Sequence, residues 1–179
     1  EKRLTPLLHQ MLLDAAEAAI VELDLDMAFD TEHPAVRTGL REQMRKITGT
    51  IDDTTRQKLR ESLTAGVAAG ESIPQLADRV SEVFADAKGY RAQMIARTET
   101  NGAASLGSQE AWAQTGVVTG KEWVAARDER TRAAHTEADG QVVPIDGKFT
   151  VGGEMLRFPG DPYGSAANVI NCRGVPAPI

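Results

Sequence analysis

The sequence predicts an α+β protein, with a helical amino-terminal half followed by a long helix that leads into a small β-rich carboxy-terminal domain. Three observations carry this. Apolar residues recur every three or four positions as far as about Gln114, short runs punctuated by glycine replace them beyond Gly116, and aromatic residues make up only 4% of the chain. A spacing of three and four draws one apolar stripe along a helix, whereas strands read with a period of two. A core poor in aromatics and rich in alanine favours closely packed helices.

The first stripe, Leu4, Leu8, Met11, Leu12, Ala15, Ala19 and Leu23, predicts a helix that starts near Thr5, with Pro6 in the first turns where its missing N–H costs little. Asp26 to Pro34 reads as a connection. Val36, Leu40, Met44, Ile47 and Ile51 predict a second helix, with Gly49 at a possible break. Thr54 and Gln57, then Ser72 and Gln75, have the form of capping boxes, which satisfy free backbone donors at helix starts. They introduce a third helix on Leu59, Leu63 and Val67, ended by Gly70, and a fourth on Ile73, Leu76, Ala77, Val80 and Phe84, ended by Gly89. Residues 1–89 therefore form a helical domain or arm, and residues 90–179 the remainder.

Tyr90 to about Gln114 predicts the long helix. Its middle, Gly102, Ala103 and Ala104, leaves room for another element to approach. Arg97, Asn101, Ser105 and Ser108 share one polar face. Beyond Gly116, strands are expected at Glu122–Ala126, Gln141–Ile145, Lys148–Val151 and Glu154–Phe158, with Asp139-Gly140, Asp146-Gly147 and Gly152-Gly153 as turns. After Pro159-Gly160-Asp161-Pro162 a loop carries the chain to Asn171-Cys172-Arg173.

The formal net charge of −6 argues against the chain as a whole coating DNA, since such affinity comes from Lys and Arg neutralising phosphates. One cysteine excludes an internal disulfide or a multi-cysteine metal site. No apolar run is long enough for a membrane span. The chain begins Glu1-Lys2-Arg3 and reads as a piece of a longer polypeptide.

Candidate chemistry gathers at Trp123 to His135 and at Asn171-Cys172-Arg173. Arg97, Asp128, Arg130, Arg132, His135, Asn171 and Arg173 form an expected polar structural cluster knitting the long helix to the β-rich unit, because partly buried guanidiniums need acceptors. Three alternatives compete with it. Cys172 can act as a nucleophile with His135 as base and Asp128 or Asp139 orienting the imidazole. His135, Asp139 and Asp146 have the donor types of a divalent-metal nuclease site, although turn formation already explains the two Asp-Gly pairs. Arg127, Arg130 and Arg132 are the densest basic cluster, but Asp128 and Glu129 lie among them and no aromatics interleave. No cofactor or metal is expected. In the first helix, Leu13 and Ile20 belong to an apolar surface broader than one packing face needs, and are expected to bind a partner.

Several of these residues together resemble a known pattern: Ile95-Ala96-Arg97-Thr98-Glu99-Thr100, Gly107, Gly116, Trp123, Asp128-Glu129-Arg130-Thr131-Arg132, His135, Gly140, Phe149, Pro159-Gly160-Asp161 and Asn171-Cys172-Arg173. Their order and spacing resemble the phage Mu F-like minor head proteins, also called phage head morphogenesis proteins. Phe29-Asp30, Pro34, Thr54-Thr55 and Gly70-Glu71-Ser72-Ile73 resemble the helical region preceding that domain. One departure is Gly174, where relatives commonly carry a second cysteine. The resemblance implies a virion protein made in the bacterial host cytoplasm, present in few copies at the portal vertex or head interior, and needed for head assembly or DNA delivery. Its implied partners are the portal or major capsid protein, and no defined reaction is implied; the broad apolar surface of the first helix adds self-association as an expectation.

Overall fold

The computed structural model describes residues 5–48, 53–83 and 90–179. Among them, five helices carry the chain to Thr115: α1 (Thr5–Glu22), α2 (Pro34–Thr48), α3 (Asp53–Ala68), α4 (Ile73–Val83) and α5 (Tyr90–Thr115). Each sits where the apolar spacing places it. Half of the capping box at the start of α4 forms, with the Ser72 backbone N–H donating to Gln75 Oε1 at 2.8 Å, while the Ser72 hydroxyl donates to the same oxygen at 2.6 Å. Gly70 ends α3 with φ of +69°, a conformation that glycine adopts without side-chain penalty. The expectations for Gly49, Ile51, Phe84 and Gly89 fall outside the described residues, as does the Thr54–Gln57 side-chain pairing.

α5 is the axis of the molecule. α1 runs along it, burying Ala16, Ala19 and Ile20 against Ala111, Trp112 and Val118. Further along, Leu12 of α1 and Val36 and Leu40 of α2 meet Ala103 and Leu106, with Phe158 of the β-rich unit in the same cluster. Two glycines allow this closeness. A Cβ on Gly107 would lie 2.2 Å from the Leu12 carbonyl oxygen, and one on Gly160 would lie 3.1 Å from the Gly102 Cα. Here backbone meets backbone. Near the amino-terminal end of α5, Ala96 packs with Leu59 and Leu63 of α3 and Leu76, Ala77 and Val80 of α4. These apolar clusters cross the boundary at residue 89.

The β-rich part holds two small antiparallel sheets. β1 (Gly120–Val124) is central in the first, flanked by β2 (Val142–Pro144) and β5 (Val175–Pro178), and β3 (Phe149–Val151) pairs with β4 (Glu154–Leu156) in the second. Trp123 pairs in register with Pro176, and Lys121 with Val143 on one side and Pro178 on the other. Proline is tolerated in β5 because only one edge of that strand is paired. Trp123, Ala125, Ala138, Phe149, Val151, Leu156 and Cys172 form its core, with the Trp123 ring edge-on to Phe149 and to His135 at 5.4 Å.

Three elements were not expected from the sequence: α6 (Ala133–Ala138), α7 (Ala166–Val169) and β5. The two helices are too short to show a stripe, and Val175-Pro176-Ala177-Pro178 lacks the alternation of a strand. The expectation for Ile20 is also corrected. It is 3% exposed within its own chain's core, so it offers no surface to a partner, and Leu13 beside it is half-buried. Among the described side chains of α1, the large apolar one that is widely exposed is Val21, at 73%.

Candidate functional site

Strand β1 runs out of the core at Ala125, and the chain then turns through Arg127, whose φ is +55°. Asp139 fixes that turn, accepting hydrogen bonds from the Ala125 N–H at 2.8 Å and Arg127 Nε at 2.7 Å. Next comes the Asp128 loop. Its carboxylate accepts the Arg130 N–H and the Thr131 hydroxyl, a local pattern that closes a tight turn.

The 170–174 segment crosses over this loop and is tied to both sides of it. Asn171, with φ of +58°, donates its backbone N–H to Thr98 Oγ1 at 2.7 Å, and its side-chain oxygen accepts from Arg97 at 2.7 Å. Asn101 donates to the Gly174 carbonyl at 3.0 Å, while Arg132 donates to the Ile170 carbonyl. Arg173 grips Asp128 with two nitrogens, the second at 2.6 Å. The polar face of α5 thus holds the carboxy-terminal turn, which in turn holds the Asp128 loop. Arg173, above all, keeps the Asp128 carboxyl far below the usual carboxylate range.

The structure brings together Arg97 with Asn171, Asp128 with Arg173, and His135 with Cys172. It leaves Arg130 out. Only the Arg130 backbone is engaged, and its exposed guanidinium joins no hydrogen bond or ion pair among the described residues, so it does not knit the elements as the sequence suggested. Asp128 pairs with Arg173 rather than with Arg97, Arg130 or Arg132.

His135 Nδ1 lies 3.8 Å from Cys172 Sγ, and both residues are buried. Burial raises the thiol pKa above its ordinary value, although the backbone of Gly174 and the Arg132 charge pull the other way. Burial and then Arg132 lower that of the imidazole. Both shifts favour the neutral pair over thiolate and imidazolium. No carboxylate among the described residues orients the ring, since Asp128 belongs to Arg173 and Asp139 to Arg127. Among the described residues, no three His, Cys, Asp or Glu side chains gather in a way that suits a metal ion, and the Asp139 oxygens are committed to the β1 turn.

A second polar group, unforeseen in the sequence, lies between α5 and the β-rich unit. Lys121 is fully buried and donates to Gln109 Oε1 at 2.8 Å. Asp161, 1% exposed, accepts from Arg157 N at 2.8 Å, Nε at 3.0 Å and its terminal nitrogen at 2.8 Å, and from the Tyr163 N–H at 3.1 Å. The Arg157 guanidinium sits 4.9 Å from both the Phe158 and Tyr163 rings. Glu110 is also buried, which raises its pKa against the pull of Arg157, His33 and Lys121. A signal for Lys121 was present. It lies two residues before Trp123 and four before Ala125, so strand alternation puts all three on one buried face.

Burial, reinforced by the Arg157 charge, lowers the Lys121 pKa from 10.5 to about 8. Between those values the unfolded chain binds more protons at this site than the folded one, so this lysine's contribution to stability rises with pH. The melting temperature of the wild type relative to Lys121→Met is expected to improve as pH is raised from about 8 to 10.5. A pH-independent difference between the two would show that Lys121 titrates normally.

Comparison with known proteins supplies the relatives. Residues 57–176 match the family described as Phage Mu protein F like protein. The chain is 31% identical over 124 residues to the NAD(+)-arginine ADP-ribosyltransferase EFV of Enterococcus faecalis (strain ATCC 700802 / V583), an alignment covering 68% of this chain and 25% of that protein. It is 32% identical over 115 residues to the minor head protein GP7 of Bacillus phage SPP1, covering 63% of this chain and 37% of the relative. It thus spans about a quarter of one relative's length and over a third of the other's. No solved structure matches it. The matched region contains α4, α5, the Asp128 loop and the Asn171 turn, and on that match the chain belongs to the Phage Mu protein F like family.

Proposed function

We propose that this chain is a structural module of a phage head, held at the portal vertex or in the head interior, where it contacts the portal or major capsid protein and assists head assembly or the passage of DNA. One structural observation carries the reading. Most of the polar residues that distinguish this stretch, Arg130 apart, join the turn at Asn171 to α5 and to the Asp128 loop, and the Cys172 thiol is buried beside the His135 imidazole, with burial pressing both towards their neutral forms. Family membership and the minor head protein relative point the same way. No helix among the described residues is long and apolar enough to cross a membrane.

The other relative is named for transfer of ADP-ribose from NAD to arginine, which favours an enzymatic reading carried in the virion. The shared segment amounts to 25% of that protein's length, which leaves its named activity room in the other three quarters.

Cys172→Ala tests the structural reading against chemistry at the sulfur. A phage carrying it is expected to assemble heads containing normal amounts of the protein and to keep its infectivity, with a stability loss of about 1 kcal/mol for a small change at a buried site. Normal incorporation with infectivity abolished would assign chemistry to the sulfur and defeat the structural reading.

A further inference from the structure

The Asp128 loop and the Asn171 turn do not close completely on one another. A cleft of about 20 Å³ remains between them, lined by Arg130, Thr131, Arg132, Arg173, His135 and Cys172 among others, with no carboxylate in its wall. The three guanidiniums are not equally engaged. Arg173 is neutralised by Asp128, Arg132 donates to the uncharged Ile170 carbonyl, and Arg130 engages nothing among the described residues. Two positive charges therefore face a small cleft with donors to spare, since each guanidinium carries five N–H groups. A half-buried guanidinium without a counter-charge is held at a cost, which an anion brought by another molecule would remove.

Size and surrounding charge select the anion. A volume of about 20 Å³ takes one water-sized group, the scale of a single oxygen entering between donors. A planar carboxylate presented edge-on to a guanidinium fits that shape and makes two parallel hydrogen bonds. A nucleic-acid backbone fits it poorly. Its phosphates repeat along a strand, and the neighbouring Asp128 and Glu129 together with the net charge of −6 oppose the approach of a polyanion.

We propose that this cleft receives the carboxylate of an acidic side chain presented by a partner protein, with Arg130 and Arg132 as its ligands. The identity of the partner as a head protein rests on the function proposed above, whereas the recognition of a carboxylate does not.

The test uses the purified chain and a hexaglutamate peptide, followed through the side-chain Nε–Hε signals of the arginines by nuclear magnetic resonance, with inorganic phosphate and a single-stranded oligonucleotide in parallel. Saturable shifts at Arg130 and Arg132 are expected with the peptide, and weaker effects with the other two. Because the Arg130 side chain has no partner within the chain, Arg130→Ala is expected to leave the melting temperature unchanged while weakening the peptide roughly tenfold, the loss of one hydrogen-bonded charge. Arg130→Lys is expected to recover part of it. Absence of saturable shifts, unchanged affinity in Arg130→Ala, or tighter binding of the oligonucleotide would each overturn the proposal. Failure to bind the peptide by a chain that still enters heads would remove this inference alone. Binding by a chain absent from heads would support the cleft and remove the head assignment instead.

Discussion

Asp161→Ala is expected to lower stability by about 3–5 kcal/mol, the range for removing one partner of a buried ion pair. The carboxylate is 1% exposed and takes three N–H groups from Arg157 and one from Tyr163. Its loss strands a guanidinium that lies 4.9 Å from two aromatic rings and near the buried, like-charged Lys121. Chemical denaturation of the purified chain measures the effect, and Asp161→Asn should recover part of it because the amide oxygen still accepts. A loss below about 1 kcal/mol would place Asp161 among ordinary surface acids.

Gly107→Ala is expected to cost about 3 kcal/mol, at the upper end of what overpacking does, because the new methyl meets backbone rather than a side chain free to rotate. The Leu12 carbonyl oxygen would stand 2.2 Å from it, so α1 has to slide along or lift from α5. Gly116→Ala is a useful control. Unlike Gly107 it lies outside any tight contact, so its φ of +68° makes its penalty one of backbone strain alone. Equal losses in the two variants would mean that α1 and α5 are not in backbone contact at Gly107.

The helices were legible because each carries enough residues to draw its stripe, and Gly102-Ala103-Ala104 marked where another element comes close. Gly160 is what approaches there, a partner 58 positions away that no local pattern could name. The polar face of Arg97 and Asn101 was visible, as was the need of the arginines for acceptors. The pairing was not. Asp128 lies two to four residues from Arg130 and Arg132, yet the local turn directs its carboxylate across to Arg173, 45 positions on. Ile20 misled because α1 is apolar around much of its circumference, and only the position of Trp112 and Val118 shows which side is covered. Lys121 was passed over because it stood just outside the expected strand, whose first residue is Gly120 rather than Glu122.

If this fold serves a phage head as a structural module and not as a free catalyst, its neighbours are found inside the particle. Chemical cross-linking of intact, purified particles, followed by mass spectrometry of the linked peptides, tests it most directly. The chain is expected to be recovered with the particles and to link to portal or capsid subunits, with Lys148 on the exposed side of the β-rich unit available to form the links and the buried Lys121 silent. A chain that is absent from particles, or present without a single link to another head protein, would contradict it.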